Sequence, residues 1–229
     1  PNFAQCFNLA QGQYFLLLGD DDFFVDGSLD TLLKRLRDND YGVVHLNTFG
    51  FDDHFQTELP IYKQSDILYS DSGKFLESVA NKMTLISACV VNKELISHLD
   101  AHDLIGSNLV QVHWVVQAAL AAQESLQIKE YFIGCKRNNS GGYSFPQVFV
   151  TNFFSLLELY KSLGLSERTI RNIETRLLVG FYPYPILNQR KIDEKLTPES
   201  LRIFDARFRG RILYQIYVRP ILSLPRYLG

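Results

Sequence analysis

The sequence predicts an α/β domain with helices on both sides of its sheet, followed by a helical carboxyl-terminal extension. Three observations favour this class. An apolar run ends in three consecutive aspartates, strand-like and helix-like segments alternate up to about residue 147, and the pattern is helical from Val148 onward. The 229 residues are enough to bury a sizeable core. We therefore expect an α/β domain over residues 1–147 and the helical extension over residues 148–229.

Residues 14–18 are five apolar residues bounded by Gly19, which predicts a central strand of a parallel sheet with both faces covered. The acids Asp20, Asp21 and Asp22 then lie at its carboxyl end, where open α/β sheets bind ligands. Three adjacent carboxylates repel one another and are tolerated best when a cation neutralises them. Oxygen ligands with no His or Cys nearby suit Mg²⁺ or Mn²⁺. The alternative is a solvated turn that leads into the next helix.

The segments around this strand follow in order. Residues 2–11 predict a helix closed by Gly12, and helical spacing resumes from Ser28 to Arg37. Residues 43–47 indicate a strand whose His45 is more typical of a hydrogen-bonded core or edge residue than of a ligand. Residues 50–71 have no clean period, which indicates either a flap near a binding site or a solvated surface segment.

The second half of the domain continues the alternation. We expect a helix near residues 75–79, a strand over 84–91, a helix over 109–124, a strand over 128–135 and a basic, Gly-rich loop over 136–143. The extension predicts helices over 149–163 and 167–179, a break near 182–185, and a further helix that starts with Thr197 as its N-cap and Pro198 at N1.

Composition places the chain among globular proteins, with 46% hydrophobic and 21% charged residues. The cysteines Cys6, Cys89 and Cys135 are odd in number and lack CxxC spacing, which predicts reduced thiols in a cytoplasmic protein. No signal peptide and no run of 18 apolar residues is found. Residues 1–77 carry 13 acids and 5 bases, whereas residues 136–229 carry 15 bases and 7 acids. This asymmetry suits a diphosphate held between a metal and Lys or Arg, and nothing else in the sequence indicates a nucleic-acid partner.

The motif string resembles family 2 glycosyltransferases of the GT-A fold. The matching residues are Asn2-Phe3, then Leu9-Ala10-Gln11-Gly12-Gln13-Tyr14-Phe15, then Leu17-Leu18-Gly19-Asp20-Asp21-Asp22. The Leu-Gly-Asp-Asp-Asp ending is similar to abequosyltransferase-like enzymes that build bacterial O-antigen and related surface polysaccharides. The match covers about residues 2 to 30. It implies a Rossmann-related mixed sheet, and it implies that an amino-terminal part with the first strands precedes Pro1.

The resemblance also implies roles for the acids. Asp21 matches the metal-ligand position, Asp20 matches a neighbour that faces the nucleotide ribose, and Asp22 could bind or orient the metal, which gives Asp21, Asp22 and Asp20 as the metal candidates. Gly19 stands where many members have another Asp, so the ligand set stays open.

Family members carry a Glu-Asp pair as the acceptor base near the start of the long helix, and here residues 109–114 lack it. His113 or Asp103 could supply the base, although a His beside Trp114 is more typical of packing. Lys136 and Arg137 are candidate contacts for the donor diphosphate, or they belong to a surface turn.

The tail over residues 207–229 contains Arg207, Arg209, Arg211, Arg219 and Arg226 and no acid. Arginines and aromatics beside an apolar face suit a helix at an anionic membrane surface, and a helix docked on its own domain is the alternative.

We thus expect a metal-dependent glycosyltransferase that moves a sugar from a nucleotide-diphosphate donor to a lipid-linked bacterial surface glycan, in the cytoplasm or on the inner face of the membrane. The alternative from another class is a non-catalytic carbohydrate-binding or assembly subunit. A phosphatase with an Asp nucleophile fits less well because its downstream Lys and acidic motif are missing.

Overall fold

The computed structural model describes residues 2–61, 64–99, 106–137, 142–192 and 198–223. The chain divides into two compact units, residues 1–141 and residues 142–229. The helices and strands of the first unit are α1 (Asn2–Leu9), β1 (Tyr14–Phe15), β2 (Asp22–Phe24), α2 (Ser28–Asp38), β3 (Val43–Phe51), α3 (Phe55–Glu58), β4 (Ile67–Tyr69), α4 (Ser72–Val79), β5 (Cys89–Asn92), α5 (Val110–Ala121) and β6 (Ser125–Lys136).

The strands of the described part form one mixed sheet in the order β1-β5-β3-β6-β2, and β4 also pairs with β6. Strands β3 and β6 run parallel, from Val44 opposite Leu126 to Phe51 opposite Lys136. The pairs β1/β5, β3/β5, β2/β6 and β4/β6 are antiparallel. The predicted fold class, an α/β unit with a mixed sheet and flanking helices, is confirmed.

The core explains why β3 and β6 are central. Strand β3 begins with four fully buried positions, Val43 to Leu46, and β-branched and aliphatic side chains fit such a surface. Val44 and Leu46 join Leu32 of α2 in one buried cluster. Helix α5 packs against β3 and β5, and its twelve residues contain no Asp, Glu, Lys or Arg, as expected for a helix buried on most sides.

The prediction of a central parallel strand over residues 14–18 is wrong. Strand β1 has two residues, lies at the end of the strand order and pairs antiparallel with β5. Leu16 packs against the buried cluster, whereas Leu18 is 45% exposed. A continuous apolar run indicates burial but not strand pairing, and here the chain leaves the sheet after Phe15.

The strand predicted over residues 84–91 is shorter than expected. Two 3₁₀ turns, Ala80–Thr84 and Ile86–Ala88, precede β5, which begins only at Cys89. Met83, Ser87 and Ala88 of these turns are buried, and burial does not require an extended backbone.

The second unit is helical in its described part. A π-helical segment, Gln147–Asn152, leads into α6 (Phe153–Leu159) and the 3₁₀ turn Tyr160–Leu163. The remaining helices are α7 (Glu167–Gly180), α8 (Pro183–Ile192), α9 (Pro198–Phe208), α10 (Ile212–Tyr217) and α11 (Arg219–Ser223). Ser166 caps α7, since its Oγ accepts a hydrogen bond from the Thr169 backbone N–H at 3.0 Å.

Aromatic side chains form the centre of this helical unit. The rings of Phe154, Tyr182, Phe204, Phe208 and Tyr214 are buried and lie 5.1 to 6.3 Å from their neighbours.

Within the described residues, no helix combines the length and the apolar character that a membrane span requires.

Candidate functional site

The aspartate triplet lies in a tight turn. The Asp22 backbone N–H donates to the Gly19 carbonyl at 3.2 Å, so Asp20 and Asp21 occupy the two central positions of the turn. The Gly19 N–H donates to Ser87 Oγ at 2.9 Å, and Ser87 is fully buried. Asp22 then opens β2, opposite Cys135 of β6. The turn is therefore fixed at both ends, by a buried hydroxyl and by the sheet.

Gly19 leaves a space that two carboxylates share. A Cβ placed on Gly19 would lie 3.0 Å from Asp22 Oδ2 and 3.2 Å from Asp21 Oδ1. Two oxygens from different residues thus face the same point, while Asp20 is exposed. No group of three or more His, Cys, Asp or Glu side chains with metal-site geometry occurs within the described ranges.

This pair of carboxylates fits the cation that the sequence predicts. Mg²⁺ is usually held by one or two carboxylates, with phosphate oxygens and waters completing its shell. Asp21 Oδ1 and Asp22 Oδ2 are hard oxygen donors of this kind, and a side chain at position 19 would crowd both of them. Asp21 and Asp22 are therefore the residues that could hold Mg²⁺ or Mn²⁺.

Cys135 lies beside these carboxylates. Burial raises the pKa of its thiol, and the hydrogen bond to Asp22 and the charges of Asp22 and Asp21 raise it further. The thiol is therefore protonated at neutral pH and is not a nucleophile.

The predicted phosphate contacts Lys136 and Arg137 follow directly on β6. Arg137 Nη1 donates to Asp52 Oδ2 at 2.8 Å and to Glu58 Oε2 at 2.9 Å. Lys136 Nζ lies 3.6 Å from Asp53 Oδ1. Lys136 and Arg137 thus both lie near acids of the segment after β3. In the chain they directly follow Cys135, the residue that pairs with Asp22 across the sheet.

Of the two candidate bases, His113 lies among the described residues and Asp103 does not. His113 is buried in α5, and burial lowers the pKa of its imidazole to about 4, so the ring is neutral at physiological pH. A neutral imidazole can accept a proton, but a pKa near 4 makes it a weak base. Asp103 lies outside the described residues.

Three features of the site were not predicted from sequence. Ser87 lies in a stretch predicted as an ordinary strand, and Glu58 and Asp52 lie in a segment without periodicity. Nothing in the local pattern distinguishes these residues from solvated polar ones, because their partners Gly19 and Arg137 are 68 and 79 or more positions away in the chain.

Comparison with known proteins gives one kind of match. No protein-family model and no curated protein matches the chain in sequence. Among solved structures, the chain is similar to S. aureus TarS 1-349 in complex with UDP-GlcNAc, with a TM-score of 0.64 and 13% identity. The match covers 96% of this chain and 65% of that chain, so this chain spans slightly less than two thirds of the TarS fragment. The likeness shows that this chain shares the fold of the TarS fragment.

Proposed function

We propose that the protein is a metal-dependent glycosyltransferase that moves a sugar from a nucleotide-diphosphate donor to a growing, lipid-linked bacterial surface glycan of the O-antigen or capsule type. The observation that carries this proposal is the convergence of Asp21 Oδ1 and Asp22 Oδ2 over Gly19. Its fold context adds support, because the similar TarS fragment was solved with UDP-GlcNAc. The acceptor class rests on the resemblance of the motif string to O-antigen transferases.

We assign the steps of this reaction to the candidate residues of the site. Asp21 and Asp22 would hold Mg²⁺ or Mn²⁺, which would supply positive charge against the diphosphate leaving group. Asp20 is exposed in the turn, and the resemblance of the motif assigns it to the nucleotide ribose. Arg137 and Lys136 bind diphosphate oxygens. His113 or Asp103 accepts the proton of the acceptor hydroxyl.

The decisive experiment measures binding of UDP, CDP and GDP by calorimetry, with and without Mn²⁺. We expect binding of at least one nucleotide that requires the metal. The variant Asp21→Ala should lower that affinity at least about 100-fold with the fold unchanged, because even outer-shell partners of a metal contribute about 10- to 100-fold. Asp30→Ala, an exposed aspartate on α2, is the matched control. Unchanged metal-dependent binding by Asp21→Ala would refute the metal role.

One observation favours the second candidate, a non-catalytic carbohydrate-binding subunit. His113, the base candidate within the described residues, is buried with a pKa of about 4. The same calorimetry separates the two functions. Metal-dependent nucleotide binding supports the enzyme, and glycan binding without any nucleotide binding supports the subunit.

We also propose that the helical unit contacts an anionic membrane surface, where a lipid-linked acceptor would be found. Ile212 and Ile216 of α10 are 76% and 61% exposed, while Tyr214 and Val218 anchor the same segment in the core. Residues 142–229 carry 13 bases and 7 acids. Exposed aliphatic side chains on a basic unit are typical of helices that lie in the interface of anionic bilayers.

A further inference from the structure

The carboxylate of Glu58 gathers four hydrogen-bond donors. The backbone N–H groups of Asp52, Asp53 and His54 donate to it at 3.0, 3.2 and 3.1 Å. Arg137 Nη1 is the fourth donor, at 2.9 Å. The hydrogen bonds from these backbone groups, that of His54 foremost, lower the pKa of Glu58, so the group stays ionised. The Glu58 carboxylate therefore holds the backbone of residues 52–54 by hydrogen bonds and connects this segment to Arg137, the residue after β6.

The guanidinium of Arg137 lies across Gly50. A Cβ on Gly50 would come within 2.9 Å of Arg137 Nε and 3.0 Å of its Cγ, so a residue with a side chain would displace the arginine. The bonds to Asp52 and Glu58 both use Nη1. The opposite edge of the guanidinium, Nε and Nη2, makes no hydrogen bond to a described residue.

The guanidinium of Arg137 lies beside Gly50, and Gly50 is in register with Asp22 across strand β6. Asp22 pairs with Cys135, and Cys135 pairs with Gly50. Paired residues on neighbouring strands carry their side chains on the same face, so the space above Gly50 and the Asp22 carboxylate share one face. Two strand spacings of about 4.8 Å separate Gly50 from Asp22, which gives about 10 Å. A diphosphate bound near the aspartates would have one of its ends directed at the arginine.

We propose that Glu58, assisted by Asp52, is a positioning residue that holds the Nε and Nη2 edge of Arg137 ready for a phosphate group of the donor. This inference rests on the proposed function, which supplies the diphosphate. Exposed ion pairs contribute little to stability by themselves. Their value here is preorganisation, because an arginine that is already immobilised loses less freedom when it binds an anion.

The test is a double-mutant cycle on nucleotide binding. With Mn²⁺ present and UDP, CDP and GDP as probes, Glu58→Gln should weaken binding about threefold to tenfold, the loss expected when one side chain must be ordered on binding. Arg137→Ala should weaken it at least about tenfold, since it removes a charge-assisted hydrogen bond. In the Arg137→Ala background, Glu58→Gln should have no further effect. Glu130→Gln, an exposed glutamate on β6, is the matched control.

A second measurement does not depend on nucleotides. The side-chain Nε–H resonance of Arg137, identified by its loss in Arg137→Lys, should be resolved in the wild type and should broaden in Glu58→Gln. If Glu58→Gln does not fold, Asp52→Asn takes its place in both measurements, because Asp52 bonds the same Nη1.

The outcomes separate this inference from the proposed function. A wild-type protein that binds none of the nucleotides with Mn²⁺ overturns both. Wild-type binding with additive effects of Glu58→Gln and Arg137→Ala overturns only the positioning role. Tighter binding by Glu58→Gln also overturns it, because the acids would then compete with the phosphate for Arg137.

Discussion

The imidazole of His45 lies inside the sheet, 1% exposed, and neither ring nitrogen has a hydrogen-bond partner among the described residues. Burial lowers its pKa to about 3, and the charges of Lys82 and Lys129 act in the same direction. The cost of burying an unpaired polar ring is tolerated because the ring is neutral at physiological pH. The sequence interpretation of His45 as a core residue agrees with this environment, although the expected hydrogen bond is not found among the described residues.

His45 should make the protein sensitive to acid. In the unfolded chain it binds a proton near pH 6.5, and in the folded chain only near pH 3, so its stabilising contribution is complete above pH 6.5 and is lost as the pH falls below that value. Between pH 6.5 and 4.5 we expect a loss of about 2 to 3 kcal/mol in the free energy of unfolding. Urea unfolding of His45→Met should show a correspondingly flatter pH dependence. The exposed His98→Met is the control, and equal slopes for wild type and His45→Met would contradict the prediction.

At the residue scale, the sequence located the three acids but did not predict how their carboxylates are arranged. Three acids after an apolar run were enough to predict oxygen ligands for Mg²⁺ or Mn²⁺, and that part stays a prediction. That the oxygens of Asp21 and Asp22 converge depends on the missing side chain of Gly19 and on its bond to the distant Ser87. Pairing over such a sequence distance has no local pattern, so it could not be derived from one sequence.

Among the helices of the second unit, Glu174 of α7 connects two others. Arg207 of α9 donates to its carboxylate through Nη2 at 2.6 Å and Nε at 2.9 Å, and Arg211 lies 3.6 Å away. The guanidinium of Arg207 also lies over the Phe154 ring, 4.6 Å from its centre. One buried carboxylate therefore holds two partly buried cations.

Removal of this carboxylate should destabilise the helical unit. Glu174→Ala removes the partner that Arg207 and Arg211 share, while Arg207 keeps its bond to Glu158 at 3.1 Å. The loss of charge-assisted hydrogen bonds to a buried carboxylate should cost about 1.5 to 3 kcal/mol. Glu167→Ala removes an exposed pair with Arg171 on the same helix and should cost at most about 0.5 kcal/mol. Thermal unfolding followed by circular dichroism gives both values. Similar losses for the two variants would show that burial of Glu174 is not what matters.

At the scale of elements, the long periodic segments were predicted well and the short apolar ones were not. Helices α2, α5 and α7 lie where the sequence predicts them, and of these α7 has a side-chain cap, Ser166. Strands β3 and β6 include the predicted segments 43–47 and 128–135 and extend beyond them. Residues 14–18 and 84–91 were both predicted as strands because they are apolar and short. The first leaves the sheet after Phe15, and the second is 3₁₀ turns up to Ala88 and a strand only from Cys89. In both segments the apolar side chains indicate burial. They do not indicate which strand supplies the backbone hydrogen bonds, because that depends on the rest of the sheet.

At the scale of the whole molecule, element order predicted the α/β class, because alternating strand and helix segments permit few architectures. The mixed sheet was implied by the family resemblance. Neither element order nor the resemblance predicted the strand order. Strands β3 and β6 are neighbours although 73 residues separate their ends, Phe51 and Ser125. The sequence also shows an uneven distribution of charge along the chain. The bases concentrate in residues 142–229, where they outnumber the acids by 13 to 7. This distribution motivates the proposed membrane contact.

The membrane proposal predicts selective binding to anionic vesicles. In cosedimentation, the protein should bind vesicles that contain phosphatidylglycerol and not pure phosphatidylcholine, and binding should weaken as salt screens the arginines. The double variant Ile212→Ser with Ile216→Ser should weaken binding at least about tenfold, because two exposed aliphatic side chains no longer enter the interface. Leu9→Ser changes a similarly exposed residue of α1, in the acidic half of the chain, and should have no effect. Equal binding to neutral and anionic vesicles would exclude the electrostatic contribution, and unchanged binding by the isoleucine variant would show that α10 does not form the contact.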